Sequence, residues 1–344
     1  MAEDIKENKA VSAPIDEAKA LADIKNVHKK IMTEIGKVFI GQTKVVEEVL
    51  YALFAKGHVL LIGVPGLGKT LLVNSLAKLL DLDFKRVQFT PDLMPSDIIG
   101  TDIIEENTKT GERNFRFVKG PLFTQVLLAD EINRTPPKTQ AALLQVMQER
   151  KITSGTTTYD VQEPFFVLAT QNPIEQEGTY PLPEAQLDRF MFNVRLEYPP
   201  TEEEIMMVKA TTSGSMEDLK PVITSDRIIE LQEIVRRVPV SDRVIKYAVA
   251  IAEATRPNQP KSSEFVNNYI TWGAGPRASQ YLILGAKARA VLQGRYYVAC
   301  EDIRALAFSV LRHRIMLNFS AEAEGITPDS VIEKIIKTVL EPVG

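Results

Sequence analysis

The segment GVPGLGKT, residues 63–70, decides the fold predicted for this chain. It follows an apolar run, HVLLI at 58–62, and precedes a helix-like segment, LLVNSLAKLL at 71–80. Glycines at this spacing let successive backbone N–H groups converge on a phosphate, and the N-terminus of the next helix adds its positive dipole end. The pattern between a strand and a helix therefore predicts a loop that binds nucleotide phosphates.

The residues of this loop have separate expected roles. Lys69 is expected to reach the β- and γ-phosphates of ATP, and the Thr70 hydroxyl is expected to bind Mg²⁺. The alternative is a glycine-rich turn without a ligand, which the flanking strand and helix make the weaker interpretation. We assign the rest of the loop and the residue after it to the nucleotide-binding set: Gly63, Val64, Pro65, Gly66, Leu67, Gly68 and Leu71.

Length and composition are those of a globular protein with about two domains. The chain has 344 residues, of which 44% are hydrophobic and 25% charged, and its net charge of −4 gives no strong field for nucleic acid or anionic lipid. The one cysteine, Cys300, excludes an internal disulfide and a multi-thiolate metal site. Without a stretch of roughly 18 apolar residues or a secretory signal, we expect a cytoplasmic protein that does not insert into membranes.

Alternating strand and helix patterns predict an α/β domain over residues 22–200, in which helices cover both faces of a parallel sheet. Two segments, 101–120 and 151–163, are predicted to form hairpins that project from this core, either as functional insertions or as surface decoration. Besides 58–62, the predicted strands are FKRVQF at 84–89, VLLADE at 126–131, FFVLAT at 165–170 and FMFNVRL at 190–196.

The flanking parts of the chain differ from this domain. Residues 1–21 are polar and charged, which favours a mobile tail, and residues 201–220 are predicted to form a linker. The segment 221–344 is predicted to form a smaller, all-α second domain. Trp272, just before its GAGP turn, is expected to pack or to form a hinge. The helical patterns in this second domain cover 225–237, 241–256, 277–293, 302–316 and 328–340.

Polar side chains follow two of the predicted strands. The strand in VLLADEIN, 126–133, delivers Asp130 and Glu131 to the carboxyl end of the sheet, where nucleotides bind. Asp130 can hold Mg²⁺ opposite Thr70, and Glu131 is placed to orient and partly deprotonate an attacking water. The alternative is a solvated strand end. Asn172, in LATQNP after the next strand, is expected to polarise the same water, although an Asn before Pro also forms turns.

Five motifs together resemble the MoxR family of AAA+ ATPases, and the resemblance extends from about residue 30 to the C-terminus. A single motif would indicate only a P-loop ATPase, whereas the long acidic motif joined to the arginine motif is more specific. The resemblance implies an AAA+ P-loop core, with a parallel sheet between helices, and a smaller α-helical lid. The motifs are GVPGLGKT, LLADEINRTPPKTQAALLQVMQE, LATQNP, YPLPEAQLDRF and GPRAS.

The resemblance also implies roles for particular residues. The hairpins at 101–120 and 151–163 resemble the helix-2 insert and the pre-sensor-1 hairpin of that clade. The roles implied at the nucleotide are the Walker A loop for 63–70, the Walker B pair for Asp130 and Glu131, sensor 1 for Asn172, and the adenine wall for Ile40 and Gly41.

The resemblance also implies roles for two arginines at the nucleotide. Arg189, in QLDRF, resembles the arginine finger, and Arg277, in GPRAS, resembles the sensor-2 arginine of the lid. Arg189 lies at a helix-to-strand turn, where it would not easily reach the nucleotide of its own chain, and a head-to-tail ring would bring it to the next site. Arg195 and Arg134 stay open as alternative fingers. If Arg277 contacts the γ-phosphate, the loss of that phosphate would let the lid rotate.

We therefore expect a Mg²⁺-dependent ATPase that forms a homo-oligomeric ring, with six subunits as in the family, and remodels protein clients. The resemblance implies clients with von Willebrand factor A domains, and roles in complex maturation or cofactor insertion. Two alternatives stay open, a nucleic-acid-stimulated motor and the ATPase subunit of a metal-chelatase complex. The mild acidity of the chain makes nucleic acid the less favoured partner.

Overall fold

The computed structural model of the chain describes residues 17–106, 113–174, 178–212, 218–260 and 262–342. Its first part alternates strands and helices, and a short 3₁₀ turn, Ile132–Arg134, follows the central acidic strand. In chain order the elements of this part are α1 (Glu17–Val38), α2 (Thr43–Phe54), β1 (Val59–Ile62), α3 (Lys69–Leu79), β2 (Phe84–Gln88), α4 (Pro95–Ile99), β3 (Gly100–Glu106), β4 (Arg113–Lys119), β5 (Val126–Asp130), α5 (Pro137–Glu149), β6 (Lys151–Ser154), β7 (Thr157–Asp160), β8 (Phe166–Gln171), α6 (Glu184–Leu187) and β9 (Phe192–Arg195).

The second part is built mainly of helices. The prediction that it is entirely α-helical is wrong in one detail, because two short strands pair as an antiparallel ribbon. Strands of two or three residues are too short to show an alternating pattern in the sequence. The elements are α7 (Thr201–Thr212), α8 (Ser225–Arg237), α9 (Asp242–Glu253), α10 (Glu264–Tyr269), β10 (Ile270–Trp272), α11 (Pro276–Leu292), α12 (Cys300–Leu311), β11 (Met316–Leu317), α13 (Phe319–Ala323) and α14 (Pro328–Thr338).

The predicted parallel sheet is confirmed. Five strands lie in the order β2, β5, β8, β1, β9, and every neighbouring pair is parallel. All five residues of β5 are buried, as expected for a strand covered on both faces. Because all strands run the same way, their carboxyl ends meet at one edge of the sheet and their amino ends at the opposite edge.

The two faces of the sheet belong to separate apolar clusters. Leu61 and Leu128 lie in a cluster with helices α1, α2 and α3. Leu60 and Leu127, their neighbours along the same strands, lie in a second cluster with α5. This alternation follows the two-residue period of a strand. The first cluster continues into α11 of the helical part, so the two parts of the chain share an apolar interior.

Both segments predicted to form hairpins contain antiparallel strand pairs, β3 with β4 and β6 with β7. The two pairs are in contact, since the rings of Phe117 and Tyr159 stack with centroids 5.0 Å apart. The turn predicted in the first hairpin, at 107–112, lies outside the described residues.

Two boundaries differ from the sequence-based expectation. Helix α1 begins at Glu17 and so includes the end of the predicted tail, whose residues 1–16 lie outside the described part. Helix α7 occupies most of the predicted linker, and 213–217 are outside the description. Trp272 was predicted to pack or to form a hinge; because it is 68% exposed it does not pack in the interior, and the hinge stays a prediction. None of the helices described is long and apolar enough to span a membrane.

A buried ion cluster holds the helical part together. Asp302, with none of its surface exposed, accepts hydrogen bonds from Arg289, from Arg295 at 2.6 and 2.9 Å, and from the Ala299 N–H at 2.9 Å. Burial by itself would raise the pKa of Asp302, but the hydrogen bonds from Arg295 and Ala299 outweigh it and lower the pKa. The carboxylate is therefore ionised in the folded chain.

We expect Asp302→Asn to lower the free energy of unfolding of the helical part by about 3 kcal/mol, because it leaves two partly buried guanidinium groups without the buried carboxylate that pairs with them. The measurement is urea unfolding followed by hydrogen exchange in α11 and α12. The lowered pKa means that the carboxylate stabilises the fold above its unfolded pKa, about 4, and that this contribution is lost as the pH falls below it.

Glu333→Gln is the matched control, because Glu333 and its partner Lys337 are both exposed on α14. Exposed ion pairs contribute little, so this change should leave the urea midpoint at the wild-type value. A wild-type midpoint for Asp302→Asn as well would contradict the structural role of the cluster.

Candidate active site

The glycine-rich loop 63–70 connects β1 to α3 at the carboxyl edge of the sheet. Gly66 and Gly68 have φ values of 87° and 75°, a left-handed conformation that favours glycine. Lys69 begins α3, and its Nζ donates to the carbonyl oxygens of Gly63 at 2.5 Å and Val64 at 3.3 Å. Its ammonium group therefore contacts carbonyl oxygens of the loop itself, in the place where phosphate oxygens are expected to bind.

The charge of Lys69 depends on its acidic neighbours. Partial burial lowers the pKa of Lys69, and the carboxylates of Asp130 and Glu131 act in the opposite direction. A bound triphosphate would add further negative charge around the ammonium group and favour its protonated form.

Asp130 ends β5 and has both carboxylate oxygens engaged. Oδ1 accepts a hydrogen bond from the Thr170 hydroxyl at 2.6 Å, and Oδ2 accepts from Arg86 Nη2 at 2.6 Å and Nε at 3.1 Å. The Asp130 side chain is only 11% exposed, so these contacts define its position. Sequence reasoning missed Arg86, although a basic residue facing the end of a neighbouring acidic strand is a signal that could have been used.

The donor set around Asp130 suits magnesium. Mg²⁺ prefers hard oxygen ligands and is usually held by one or two carboxylates together with substrate phosphates and waters. Asp130 and Thr70, the second residue of α3, supply a carboxylate and a hydroxyl at this edge. Among the described residues, no group of three or more His, Cys, Asp and Glu side chains could hold a metal ion by itself.

Glu131 follows β5 directly and has a left-handed backbone with φ of 56°. Its N–H donates to the Thr170 hydroxyl at 2.8 Å, so Thr170 connects the two acidic residues. The Glu131 carboxylate accepts hydrogen bonds from Gln88 Nε2 at 2.7 Å and from Arg134 Nη1 at 3.1 Å. Gln88 and Thr170 were not identified from the sequence, because both were interpreted only as strand residues.

Asn172 lies between the loop and the acidic pair. It follows β8, which pairs with β1 on one side and β5 on the other. Asn172 is buried, and its Oδ1 accepts from the Ile174 N–H at 3.2 Å. This contact fixes the orientation of the amide, whose nitrogen is the end that can donate to a water or a phosphate oxygen.

The turn before α2 adjoins the glycine-rich loop. The Phe39 ring lies against Gly68, and the carboxylate of Glu203 from α7 lies against Gly41. A cavity of about 430 Å³ opens beside this turn, with a lining that includes Gln42, Arg195 and Arg312. Gln42, the next residue along the chain, lines this cavity, and the contact of Ile40 and Gly41 with adenine stays a prediction.

Arg189 and Arg277 lie at the opposite edge of the sheet. They line a cavity of about 210 Å³ together with His58, the residue before β1. Because five residues of extended chain separate His58 from Gly63, this cavity is about 17 Å from the start of the glycine-rich loop. The structure therefore does not bring either arginine to Lys69 of the same chain, and the role of Arg277 at a γ-phosphate stays a prediction.

Different partners hold the two arginines. Arg189 Nη1 donates to the Leu144 carbonyl oxygen at 2.9 Å, whereas Asp188 binds Arg277. The Asp188 carboxylate accepts from Arg277 Nη1 at 3.0 Å and from Arg314 Nε at 2.7 Å. Arg314 is buried and also donates to the carbonyl oxygen of Asp188 at 2.9 Å and of Phe190 at 2.7 Å. The lid therefore holds the short loop that carries Arg189. This contact could not be predicted from local patterns, because its partners are 126 residues apart in the sequence.

The two alternative fingers lie at the nucleotide edge of their own chain. Arg134 donates to Glu131, and Arg195 ends β9, where its Nη1 donates to Asp329 of α14 at 3.1 Å. Asp329 also accepts two hydrogen bonds from Arg312 of the lid, at 3.0 and 3.1 Å. Of the candidates for the finger, only Arg189 is at the edge opposite the nucleotide.

Comparisons with known proteins show which families the two parts of the chain resemble. Residues 58–192 match the model of the ATPase family associated with various cellular activities (AAA), and residues 263–335 match that of the AAA lid domain. The chain is 41% identical over 333 residues to chaperone MoxR1 of Mycobacterium tuberculosis, covering 97% of this chain and 87% of that protein. It is 29% identical over 340 residues to protein MoxR of Methylorubrum extorquens, covering 94% and 97%.

A solved structure is also similar. The crystal structure of a Cytophaga hutchinsonii protein assigned as an ATPase superposes with a TM-score of 0.87 at 44% sequence identity. The similarity covers 94% of this chain and 98% of that one, so it includes both the sheet and the helical part.

Thr170→Val should lower ATP turnover about 10- to 100-fold, because it removes the hydroxyl that orients both Asp130 and Glu131. ATP binding should change little, since the glycine-rich loop is untouched. Steady-state hydrolysis and equilibrium binding of a fluorescent ATP analogue measure the two effects separately.

Thr170→Ser retains the hydroxyl and should restore most of the turnover. Thr153→Val on the exposed β6–β7 pair is the control for a change of the same type away from the site. Wild-type turnover in Thr170→Val would show that the hydroxyl does not position the acidic residues.

Proposed function

The chain belongs to the MoxR family of AAA+ ATPases, and on this basis we propose that it works as a head-to-tail ring that hydrolyses ATP between neighbouring copies and remodels protein clients. The chain is an ATPase by its family, its relatives and its lid domain. The observation that carries the proposal is the separation of Lys69 from Arg189 and Arg277 by the length of the sheet.

ATP is proposed to bind at the carboxyl edge of the sheet. The N–H groups of loop 63–70 and Lys69 hold the phosphates, and the turn at Ile40 and Gly41 borders the adenine. Magnesium, held by Thr70 and Asp130, would neutralise charge on the β- and γ-phosphates. Arg86 pairs with the Asp130 carboxylate and so balances its negative charge before a nucleotide binds.

Glu131 and Asn172 are proposed to activate the water. Glu131 accepts its proton as general base, and the Asn172 amide donates to it and fixes its direction. Gln88 and Arg134 both donate to Oε2 of the Glu131 carboxylate. The water is therefore proposed to approach Oε1, while these two hydrogen bonds hold the carboxylate in place.

The charge that develops on the γ-phosphate needs cations that the same copy does not supply. Arg189, held by the Leu144 carbonyl oxygen, and Arg277, held by Asp188, line one cavity at the amino edge. A neighbouring copy in a head-to-tail ring would present its nucleotide there. A guanidinium supplied in trans accelerates phosphoryl transfer by about 10³ to 10⁵. Arg134 and Arg195 are occupied at the nucleotide edge of their own copy, which favours Arg189 as the finger.

The proposed client is a protein. Among the relatives, the Mycobacterium tuberculosis protein is named a chaperone, and the family resemblance favours clients with von Willebrand factor A domains. The net charge of −4 gives no general attraction for nucleic acid. Six subunits, the number implied by the family, and a cytoplasmic location belong to the same proposal.

Mixing of inactive copies tests the trans arrangement. Arg189→Ala, Arg277→Ala and Glu131→Gln copies should each bind ATP and each lose turnover, because each removes one part of a shared site. An equal mixture of Glu131→Gln with either arginine variant should regain about a quarter of the wild-type rate, since a quarter of the joints then contain both intact halves. Hydrolysis assays at fixed total protein give this rate.

The two arginine variants distinguish trans from cis action. An Arg277 that served its own nucleotide could not be rescued by Glu131→Gln copies, because no single site would then be complete. Lys69→Ala copies, which should not bind ATP tightly, provide the control for nonspecific stimulation on mixing. Assembled rings without any recovery would refute the proposed role of Arg189.

Co-purification with a variant that binds ATP without hydrolysing it tests the class of client. Glu131→Gln copies loaded with ATP should retain engaged partners, because the bond whose cleavage releases them stays intact. We expect a von Willebrand factor A domain protein to co-purify with this variant and not with Lys69→Ala. Turnover that rises with added nucleic acid and falls steeply with salt would instead favour a nucleic-acid motor. Recovery of a tetrapyrrole-binding subunit would favour a chelatase.

A further inference from the structure

A second cavity lies beside the amino edge of the sheet, between the core and the lid. Its volume is about 400 Å³, which is within the usual range of ligand pockets, roughly 300–1,000 Å³. Its wall combines α6 and the residue after it, the end of β10, and the segment between α12 and β11. The lining includes Glu184, Asp188, Trp272, His313, Arg314 and Met316.

Arg314 is the one permanent cation among the described residues that line this cavity, and all its donors are engaged. Its side chain is only 2% exposed, and its Nε donates to Asp188 Oδ1 at 2.7 Å. The other four N–H groups donate to main-chain carbonyl oxygens, those of Asp188, Phe190, Met191 and Val310. A guanidinium has five N–H donors, so Arg314 has none left for a ligand.

His313 adds no positive charge to the cavity. Burial, and then the nearby Arg314 guanidinium, hold the pKa of His313 well below its usual value of 6.5. Its Nε2 lies 3.1 Å from the carbonyl oxygen of Phe190. Because a carbonyl oxygen only accepts, Nε2 carries the single proton of a neutral imidazole. The ring therefore does not repel a cation.

Two carboxylates offer acceptors at the same cavity. The exposed side chain of Glu184 has no hydrogen bond and no ion pair within the part of the chain that the structure describes. Each oxygen of Asp188 accepts one hydrogen bond from an arginine, and the Asp188 side chain is 31% exposed. Since a carboxylate has about four acceptor positions, Asp188 retains about two and Glu184 retains all of its own.

An indole and a thioether flank these acceptors. Trp272 and Met316 are direct partners across the β10–β11 ribbon, and they are 68% and 37% exposed. The face of an indole attracts cations, and a planar guanidinium also stacks on it, which an ammonium group cannot do. The lining therefore combines an aromatic face and unpaired acceptors with a cation whose donors are all used.

We propose that this cavity binds the guanidinium group of an arginine side chain in a polypeptide, stacked on Trp272 and paired with Glu184. An anion would face two carboxylates there, and a neutral side chain would leave Glu184 without a partner. The inference rests on the proposed function only for the source of the arginine, which is a protein client. A neighbouring copy of the chain is a second source with the same chemistry.

The chain has one tryptophan, so its fluorescence reports on this cavity. N-acetyl-arginine amide should change the emission of Trp272 in a saturable way. N-acetyl-citrulline amide has nearly the same shape without the charge and should bind at least about tenfold more weakly. N-acetyl-lysine amide should bind with intermediate affinity, because it is charged but does not stack. Inorganic phosphate should cause no change.

Substitutions locate the binding. Glu184→Gln should weaken binding of the arginine amide about tenfold, because it removes the unpaired charge and retains the shape. Glu202→Gln is the matched control, since Glu202 is an exposed glutamate in the first turn of α7, and it should leave the affinity at the wild-type value.

Added bulk gives a second test. Gly275 lines the cavity, and a Cβ there would have no atom within 4 Å, so Gly275→Leu can occupy the open space without displacing its own chain. This change should weaken binding of the arginine amide at least about tenfold. Gly36→Leu, at an exposed position of α1 that is equally open, is the control and should have no effect.

Assembly distinguishes the two sources of arginine. The Glu131→Gln variant with ATP is expected to form stable rings, in which the nucleotide is not consumed. If the arginine amide binds these rings as tightly as it binds separate copies, the cavity is open to a client. If assembly excludes the amide, a neighbouring copy fills the cavity. Either result supports the arginine site and identifies its source.

Three outcomes would overturn the inference. The arginine amide could give no saturable change, the citrulline amide or phosphate could bind as tightly, or Glu184→Gln could retain the wild-type affinity. None of them affects the rescue between Arg189→Ala and Glu131→Gln copies, which tests the proposed function separately.

Discussion

The common direction of five parallel strands is the constraint on which the rest of this structure depends. Every side chain that can hold phosphate, metal or water follows the carboxyl end of a strand: Lys69 after β1, Asp130 and Glu131 after β5, and Asn172 after β8. Arg189 precedes the amino end of β9 and faces the other way. Arg189 is therefore not close to Lys69 of its own chain. The proposed site accordingly combines residues of two copies.

The acidic residues are held by strand neighbours that carry no catalytic signature. Arg86 and Gln88 alternate along β2 and so project from the same face, where they contact Asp130 and Glu131 of the adjacent strand. Two neighbouring carboxylates repel each other. The hydrogen bonds from Arg86 and Gln88 stabilise their negative charges and so offset this repulsion. Thr170, from the strand on the other side of β5, connects the pair. Residues of the two strands beside β5, β2 and β8, thus hold Asp130 and Glu131 in position.

Much of the fold and the list of candidate residues follows from local sequence patterns, because an apolar run, a glycine-rich loop and a helical period are each encoded within about ten residues. The strand before the loop of Lys69 and the strand that ends at Asp130 could be predicted for this reason. The contact of Asp188 with Arg314 could not, because it joins distant segments through burial and charge. The position of Arg277 was inferred from its motif alone, and a motif does not specify the edge of the sheet on which a lid rests.

The lid is attached to the core at both edges of the sheet. At one edge Asp329 of α14 joins Arg195 to Arg312, beside the cavity next to the glycine-rich loop. At the other edge Arg314 grips the loop that carries Arg189. In the proposed ring, a displacement at the first attachment would pass through the packed helices to the second. Occupancy of one copy would then alter the cations offered to the following copy but not to the preceding one, which would give successive turnovers a sense of rotation around the closed circle.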